Sequence, residues 1–212
     1  MRIQAKDPRL ISLMGEFMRA YLPGVRNRDE DTITSYRHSI NLFVTYLESE
    51  HKVTVMTMQS SDFSQKNIVG FMAWLKSERK NVATTINHRL SDLRGFCKYL
   101  CKKNALSLTE YEEIREISDV DDDRMIDFTW LSVNDVYLVL KSTDSNREAI
   151  RDRFLLSLLY ESGARINEVL SLKLLDIKPT SHGEADVHFY GKGKKHRITP
   201  LSKEIGRQYE CY

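Results

Sequence analysis

The chain has 212 residues, of which 41% are hydrophobic and 29% charged, with a net charge of +2. This composition is typical of a globular protein, excludes a disordered or collagen-like chain, and at this length predicts one or two domains. No apolar run approaches the roughly 20 residues that span a bilayer, and the first ten residues lack the apolar stretch of a secretory signal. Three cysteines are too few for a disulfide framework, so we expect a cytoplasmic protein with no membrane partner.

The first half of the chain shows the apolar spacing of helices. Apolar side chains at three- and four-residue intervals predict helices over residues 8–22, 32–49, 82–103 and 106–117. A further helix, capped by Ser60 or Ser61, is predicted between residues 49 and 82. Pro23-Gly24 is expected to end the first helix, and residues 51–58 to form a short extended link. The sequence therefore predicts an all-helical domain over residues 1–117.

An acidic run follows, with four aspartates within residues 119–123. Because closely spaced carboxylates resist burial, residues 118–127 are predicted to be a linker and residues 128–212 a second domain. In that domain, apolar spacing predicts helices over about 132–141, 147–162 and 164–177, and β-like runs predict a hairpin over 185–190 and 196–200. The predicted fold class is mainly α, with a small antiparallel sheet.

The charge is unevenly distributed. Residues 1–116 carry a net charge of +4 and residues 117–212 carry −2. Residues 76–103 alone hold eight basic and two acidic side chains. A basic patch of this kind favours a polyanionic partner, most often nucleic acid, although a solvated helix face is the alternative.

Other clusters favour structural interpretations. Cys97 and Cys101 lie one helical turn apart without further ligands at metal spacing, so core packing and no metal site are expected. The GKGK run between the two strands lacks the remainder of a nucleotide phosphate loop, but a lysine-bearing hairpin could still touch a phosphodiester. Histidines are spread over this region without a ligand pattern and are expected at the surface: His182, His188 and His196.

Arg165 stands out because it follows an apolar helix and a Gly-Ala step, with Glu168 three positions later. An arginine in such a setting is costly to bury unless it is paired. From spacing alone, two interpretations are equally open. Arg165 and Glu168 form an ion pair that pins two helices, or Glu168 holds a guanidinium that is presented to a phosphate.

The run LLSLLYESGARINEVLSLKLLDI resembles the first-arginine motif of the tyrosine recombinase, or phage integrase, family. VHFYGKGKKHRITPLS resembles the β-hairpin of that family, and TITSYRHSINLFVTYLE and NVATTINHRLSDLRGFCKYL resemble helices of its core-binding domain. The resemblance covers essentially the whole chain. It implies a helical, SAM-like core-binding domain followed by the first part of a catalytic domain.

The resemblance also implies a chemistry. In the family a tyrosine attacks a DNA phosphodiester and forms a 3′-phosphotyrosyl link, which needs no metal or other cofactor. Arg165 would stabilise the charge on the phosphate, with Glu168 in support, and Lys192 would protonate the departing 5′-oxygen. Double-stranded DNA is the implied partner, with possible self-association. The residues predicted to contact DNA are Thr84, Asn87, Arg89, Arg94, Lys98, Lys195 and Arg197.

The chain departs from the family pattern in two respects, because the family's catalytic set also includes a His-x-x-Arg motif and a tyrosine nucleophile. No histidine is followed three positions later by arginine, and Tyr212 lies only 47 positions after Arg165, too close for the family's nucleophile, as does Tyr209. We therefore expect a truncated form that binds DNA but does not cleave it alone. A non-catalytic accessory or inhibitor protein of the same architecture is the alternative. A helical protein–protein adaptor is a third class, against which the basic stretch and Arg165 and Lys192 weigh.

Overall fold

The computed structural model describes residues 5–122, 130–143, 148–180, 183–191 and 195–211, together with the backbone but not the side chain of Lys195. The chain divides into two compact units, Met1–Met125 and Ile126–Tyr212. No helix within the described ranges is long and apolar enough to cross a membrane.

The first unit is all-helical, as predicted. Its helices are α1 (Pro8–Glu16), which continues as a π-helix over Phe17–Val25, α2 (Glu30–His51), α3 (Gln65–Ser77) after a 3-10 turn at Ser60–Asp62, α4 (Ala83–Lys102) and α5 (Leu108–Arg115). Side chains of aspartate and serine accept hydrogen bonds from the first-turn N–H groups of several of them and so fix where they start. An aromatic core that includes Phe17, Phe43, Phe71 and Phe96 joins the helices.

Three local predictions in this unit are wrong. Pro23 does not end the first helix, because the wider π-helical turn includes the proline and extends to Val25. The cap of α3 is Ser64 rather than Ser60 or Ser61, which lie in the preceding 3-10 turn. The segment predicted as an extended link over residues 51–58 is not extended throughout, because His51 still belongs to α2 and residues 55–57 form a turn.

The second unit combines helices with the expected antiparallel sheet. Its elements are α6 (Val133–Ser142), α7 (Ala149–Ser162), α8 (Ile166–Leu170), a 3-10 turn at Leu174–Asp176, β1 (Ile177–Pro179), β2 (Ala185–Gly191), β3 (Lys195–Leu201) and α9 (Lys203–Cys211). The strand order is β1-β2-β3. Register pairs Val187 with Thr199 and Phe189 with Arg197. The predicted fold class, mainly α with a small antiparallel sheet, is confirmed.

The inner face of this sheet forms the core of the second unit. Ala185, Val187 and Phe189 alternate along β2 and are buried. They pack with residues from the neighbouring helices, including Phe154, Leu158, Val169 and Ile205. The sheet and α8 are therefore held against the same core, which sets where the functional side chains lie.

The beginning of the predicted 118–127 linker is fixed to α4. Asn87 donates from its side-chain amide to the carbonyl of Val120 at 2.9 Å and accepts from the N–H of Val120 at 2.8 Å. Arg94 forms an ion pair with Asp119 at 3.0 Å and also donates to the carbonyl of Ile117. Residues 117–120 therefore pack as part of the first unit, while residues 123–127 lie outside the described ranges.

Candidate phosphate site and nucleic-acid interface

Arg165 lies at the junction of α7 and α8. Gly163 ends α7 with a φ of +57°, a left-handed conformation that glycine adopts without steric cost. Two residues later, Arg165 is extended and forms the N-cap of α8. Its side chain is 80% exposed, so its guanidinium group is open to a ligand from solution.

Glu168 holds Arg165 from two sides. One carboxylate oxygen, Oε2, accepts the backbone N–H of Arg165 at 3.1 Å, and the other, Oε1, accepts Nη1 of its guanidinium at 3.0 Å. The Glu168 side chain is only 7% exposed. A buried carboxylate in the first turn of α8 therefore fixes an exposed guanidinium, an arrangement suited to binding an anion with a preorganised donor.

Hydrogen bonding lowers the pKa of Glu168 below its ordinary value. The backbone N–H of Arg165 is the largest lowering influence, its guanidinium adds another hydrogen bond, and the charges of Arg197 and Arg165 act in the same direction. Desolvation opposes them. Glu168 is therefore a carboxylate throughout the physiological pH range and keeps its hold on Arg165.

Arg197 is the second partner of Glu168, and this contact was not predicted from the sequence. Its Nη2 lies 3.0 Å from Oε2 of Glu168, and its Cζ lies 4.9 Å from the centre of the Phe189 ring. Arg197 was predicted as a DNA contact, but its guanidinium points to a carboxylate of its own chain. This contact bridges 29 residues, so no spacing rule reveals it, and the predicted DNA contact of Arg197 stays a prediction.

The hairpin between β2 and β3 carries two further residues that the sequence singles out. Lys192, the predicted general acid, lies outside the described residues, as does the side chain of Lys195. The strands that flank the hairpin tip are well defined, because Gly191 pairs with the backbone of Lys195. The roles of both lysines stay predictions.

Two of the predicted DNA contacts on α4 lie at its surface. Thr84 and Lys98 are exposed. They share one face of the helix with His88 and Ser91, which the sequence analysis did not select although the spacing of 84, 88, 91 and 98 is helical. The exposed α4 face, by which we mean Thr84, His88, Ser91 and Lys98, is the candidate nucleic-acid surface of the first unit.

The other contacts predicted on α4 engage the protein itself. Asn87 uses both atoms of its side-chain amide on Val120, and Arg94 is bound to Asp119 and Ile117. Arg89 donates to Ser39 Oγ on α2 at 3.1 Å. Asn87 and Arg94 thus form a clamp that holds residues 117–120, and their predicted DNA contacts stay predictions.

A polar network fixes α2 beside the exposed α4 face. The buried carboxylate of Asp92 accepts hydrogen bonds from Ser39 at 2.5 Å and Ser35 at 2.9 Å. Ser35 is also 2.8 Å from Nε2 of His88. The network therefore joins α2 to α4 through polar side chains.

Several basic side chains of the stretch 76–103 contact other residues of the first unit. Arg79 and Lys102 lie over the rings of Trp74 and Tyr21, at 5.7 Å from each ring centre. Lys103 forms an ion pair with Glu16 at 2.6 Å. Part of the basic charge of residues 76–103 is therefore engaged in contacts within the first unit.

The remaining histidines and cysteines lie partly at the surface and partly in the core. His188 and His196 contact each other at 3.1 Å across the hairpin, with His196 exposed, and His182 lies outside the described residues. Burial raises the pKa of the Cys97 thiol well above its ordinary value, so the thiol is inert. Within the described ranges, no group of three or more potential ligands could hold a metal ion.

Two family models match the chain. The phage integrase family matches residues 129–212, and the phage integrase N-terminal SAM-like domain matches residues 16–104. Together they cover most of both units.

Among curated proteins, the chain is 27% identical over 187 residues to tyrosine recombinase XerD of Oceanobacillus iheyensis, covering 88% of this chain and 59% of the relative. It is 28% identical over 203 residues to tyrosine recombinase XerC of Syntrophus aciditrophicus, covering 94% and 63%. The chain thus spans about three-fifths of the length of these relatives.

Solved structures share the fold. A XerH site-specific recombinase bound to its palindromic difH substrate, in a post-cleavage complex, matches 97% of this chain and 61% of its own with a TM-score of 0.65 at 21% identity. A Tn1549 transposon integrase in complex with transposon right end DNA matches 92% and 63% with a TM-score of 0.61 at 12% identity. At these identities the likeness shows the fold alone.

Proposed function

The chain belongs to the phage integrase family of tyrosine recombinases, and we propose that it binds double-stranded DNA as part of a site-specific recombinase that breaks and rejoins DNA strands. The observation that carries the proposal is the open guanidinium of Arg165, held by the buried carboxylate of Glu168. The matches across both units support it. A cytoplasmic location stays a prediction from the composition of the chain.

Arg165 is proposed to bind the phosphate that undergoes strand exchange. When a tyrosine attacks a phosphodiester, negative charge builds up on the non-bridging oxygens. A planar, permanently charged guanidinium can donate two hydrogen bonds to them. Because Glu168 fixes Arg165 beforehand, little reorganisation is needed as the charge develops.

Lys192 is proposed to act as the general acid. Its place in the G-K-G-x-x-x-R run, where the arginine is Arg197, supports the assignment. Protonation of the departing 5′-oxygen would make that oxygen a good leaving group while tyrosine becomes linked to the 3′-phosphate. The link conserves the energy of the phosphodiester for rejoining, and no cofactor takes part in the proposed step.

The 212-residue polypeptide is proposed to bind DNA without cleaving it alone. It has no His-x-x-Arg run. Tyr209 already donates its hydroxyl to the carbonyl of Leu174 at 3.0 Å. Self-association on DNA is proposed as part of the recombination reaction, in line with the sequence analysis.

The experiment is to measure DNA affinity against salt. We expect the 212-residue protein to bind duplex DNA in fluorescence anisotropy, with an affinity that falls linearly on a logarithmic scale between about 50 and 200 mM salt as counterions are released. Lys98→Ala should weaken binding and reduce the magnitude of the salt slope by about one, because one phosphate contact is lost.

Lys66→Ala is the matched control, since Lys66 is an exposed lysine on α3 outside the exposed α4 face. Its slope should equal that of the unmodified protein. Absence of binding at low salt, or equal losses in Lys98→Ala and Lys66→Ala, would contradict the proposed surface.

A further inference from the structure

Arg197 is a charged residue on the core-facing side of the sheet. Along β3 it shares its face with Thr199 and Leu201, and Leu201 is buried. Across the register it faces Phe189, which is fully buried. A guanidinium on this face is costly unless its charge is paired and hydrogen-bonded.

Glu168 pairs the charge of Arg197, and the ring of Phe189 lies against its guanidinium group. The carboxylate of Glu168 lies 3.0 Å from Nη2 of Arg197 and 3.5 Å from Nη1, so both arms of the guanidinium face it. The Arg197 side chain is 42% exposed, with its planar group over the Phe189 ring. Stacking and paired contacts fix a guanidinium more firmly than a single ion pair does.

We propose that Arg197 is a positioning residue of the phosphate site, which holds the Glu168 carboxylate so that Glu168 in turn orients Arg165. The inference rests on the proposed role of Arg165. Since Arg197 follows the loop that carries Lys192, a single carboxylate joins the base of the hairpin to the start of α8. The two elements that bear the proposed phosphate-binding and acid groups are thereby held together.

The charges of the three groups indicate why a second arginine is needed. One carboxylate between two guanidinium groups leaves a net charge of +1, which favours an anion at the exposed Arg165. Without Arg197, Arg165 and Glu168 would form a neutral pair. Glu168 would then compete with the phosphate for the guanidinium of Arg165.

The test compares Arg197→Ala and Arg197→Lys with Arg207→Ala, an exposed arginine of α9 that serves as the matched control. Carbon-13 NMR follows the pKa of Glu168, and nitrogen-15 NMR of the Arg165 side chain follows titration with inorganic phosphate. In Arg197→Ala we expect the pKa of Glu168 to rise and phosphate affinity to fall about tenfold, the effect of one charge-assisted contact.

Arg197→Lys should restore part of the phosphate affinity, because it keeps the charge but not the two-armed geometry. Arg207→Ala should change neither quantity. Thermal unfolding of each variant separates a change at the site from loss of the fold. An unchanged pKa of Glu168 in a folded Arg197→Ala variant would overturn the proposal.

A double-mutant cycle separates positioning from direct contact. In a Glu168→Gln background, Arg197→Ala should cost little further phosphate affinity if Arg197 acts through Glu168. If Arg197→Ala keeps its full effect there, Arg197 acts on the phosphate itself, through its charge or by contact, and the positioning role is wrong. If the pKa of Glu168 responds to Arg197 but Arg165 binds no phosphate in any variant, the proposed function fails at Arg165, while the contact between Arg197 and Glu168 stands.

Discussion

Glu168 shows at the scale of single residues what a sequence can and cannot predict. Its pairing with Arg165 is local, because three positions separate them across a helix start, and spacing was enough to propose it. Its pairing with Arg197 depends on the β-register and on how the sheet packs against α8. The pairing of Arg165 with Glu168 that both interpretations include is present, and the guanidinium of Arg165 is exposed, while its phosphate role stays a proposal.

A pH experiment tests the carboxylate state of Glu168. Its folded pKa lies below its unfolded value, so its contribution to stability is complete above the unfolded pKa of about 4.3 and is lost as the pH falls through the folded pKa. We expect Glu168→Gln to lower Tm at pH 7 and to have progressively less effect below about pH 4.

Glu184→Gln removes an exposed carboxylate of the same unit and controls for the change in net charge. Its Tm should stay close to that of the unmodified protein at pH 7. A loss of Tm in Glu168→Gln that is the same at pH 7 and at pH 3 would contradict a charged Glu168.

At the scale of elements, the faces of α4 differ in what they contact: one packs in the core, one is exposed and one faces residues 117–120. Apolar periodicity predicted its length to within a residue or two and its buried stripe at Ile86, Leu90, Leu93 and Phe96. It could not distinguish the face toward solvent from the face toward residues 117–120, because a polar residue suits both. Asn87 and Arg94 were therefore predicted to contact DNA, and periodicity gave no sign of the tertiary contacts that they make in the clamp.

The clamp gives a prediction for Asn87. Asn87→Ala leaves both the N–H and the carbonyl of Val120 without their side-chain partner, so we expect a loss of about 1–3 kcal/mol in the free energy of unfolding by urea. DNA affinity of the folded variant should stay unchanged, because the amide faces Val120.

Ser91→Ala is the control for stability, since Ser91 lies on the exposed α4 face. It should leave the free energy of unfolding within about 0.5 kcal/mol of the original value. A stable Asn87→Ala variant with reduced DNA affinity would restore the original assignment of Asn87 as a DNA contact.

For the whole molecule, composition and periodicity predicted the fold class, because strong apolar stripes and a β-hairpin signal agree with the packing. Two compact units each have a core of their own. Each unit also presents a candidate surface: the exposed α4 face in the first, and Arg165 with its support in the second. We propose that both the exposed α4 face and Arg165 bind DNA.

The most direct test is chemical-shift mapping of the 212-residue protein during titration with duplex DNA. We expect the side-chain nitrogen–proton signal of Arg165 and the amide signals of the exposed α4 face to shift in the same titration, and to return as salt is raised. Amide signals around Lys66 should serve as the internal reference. DNA binding that leaves Arg165 and the exposed α4 face unshifted would contradict the claim.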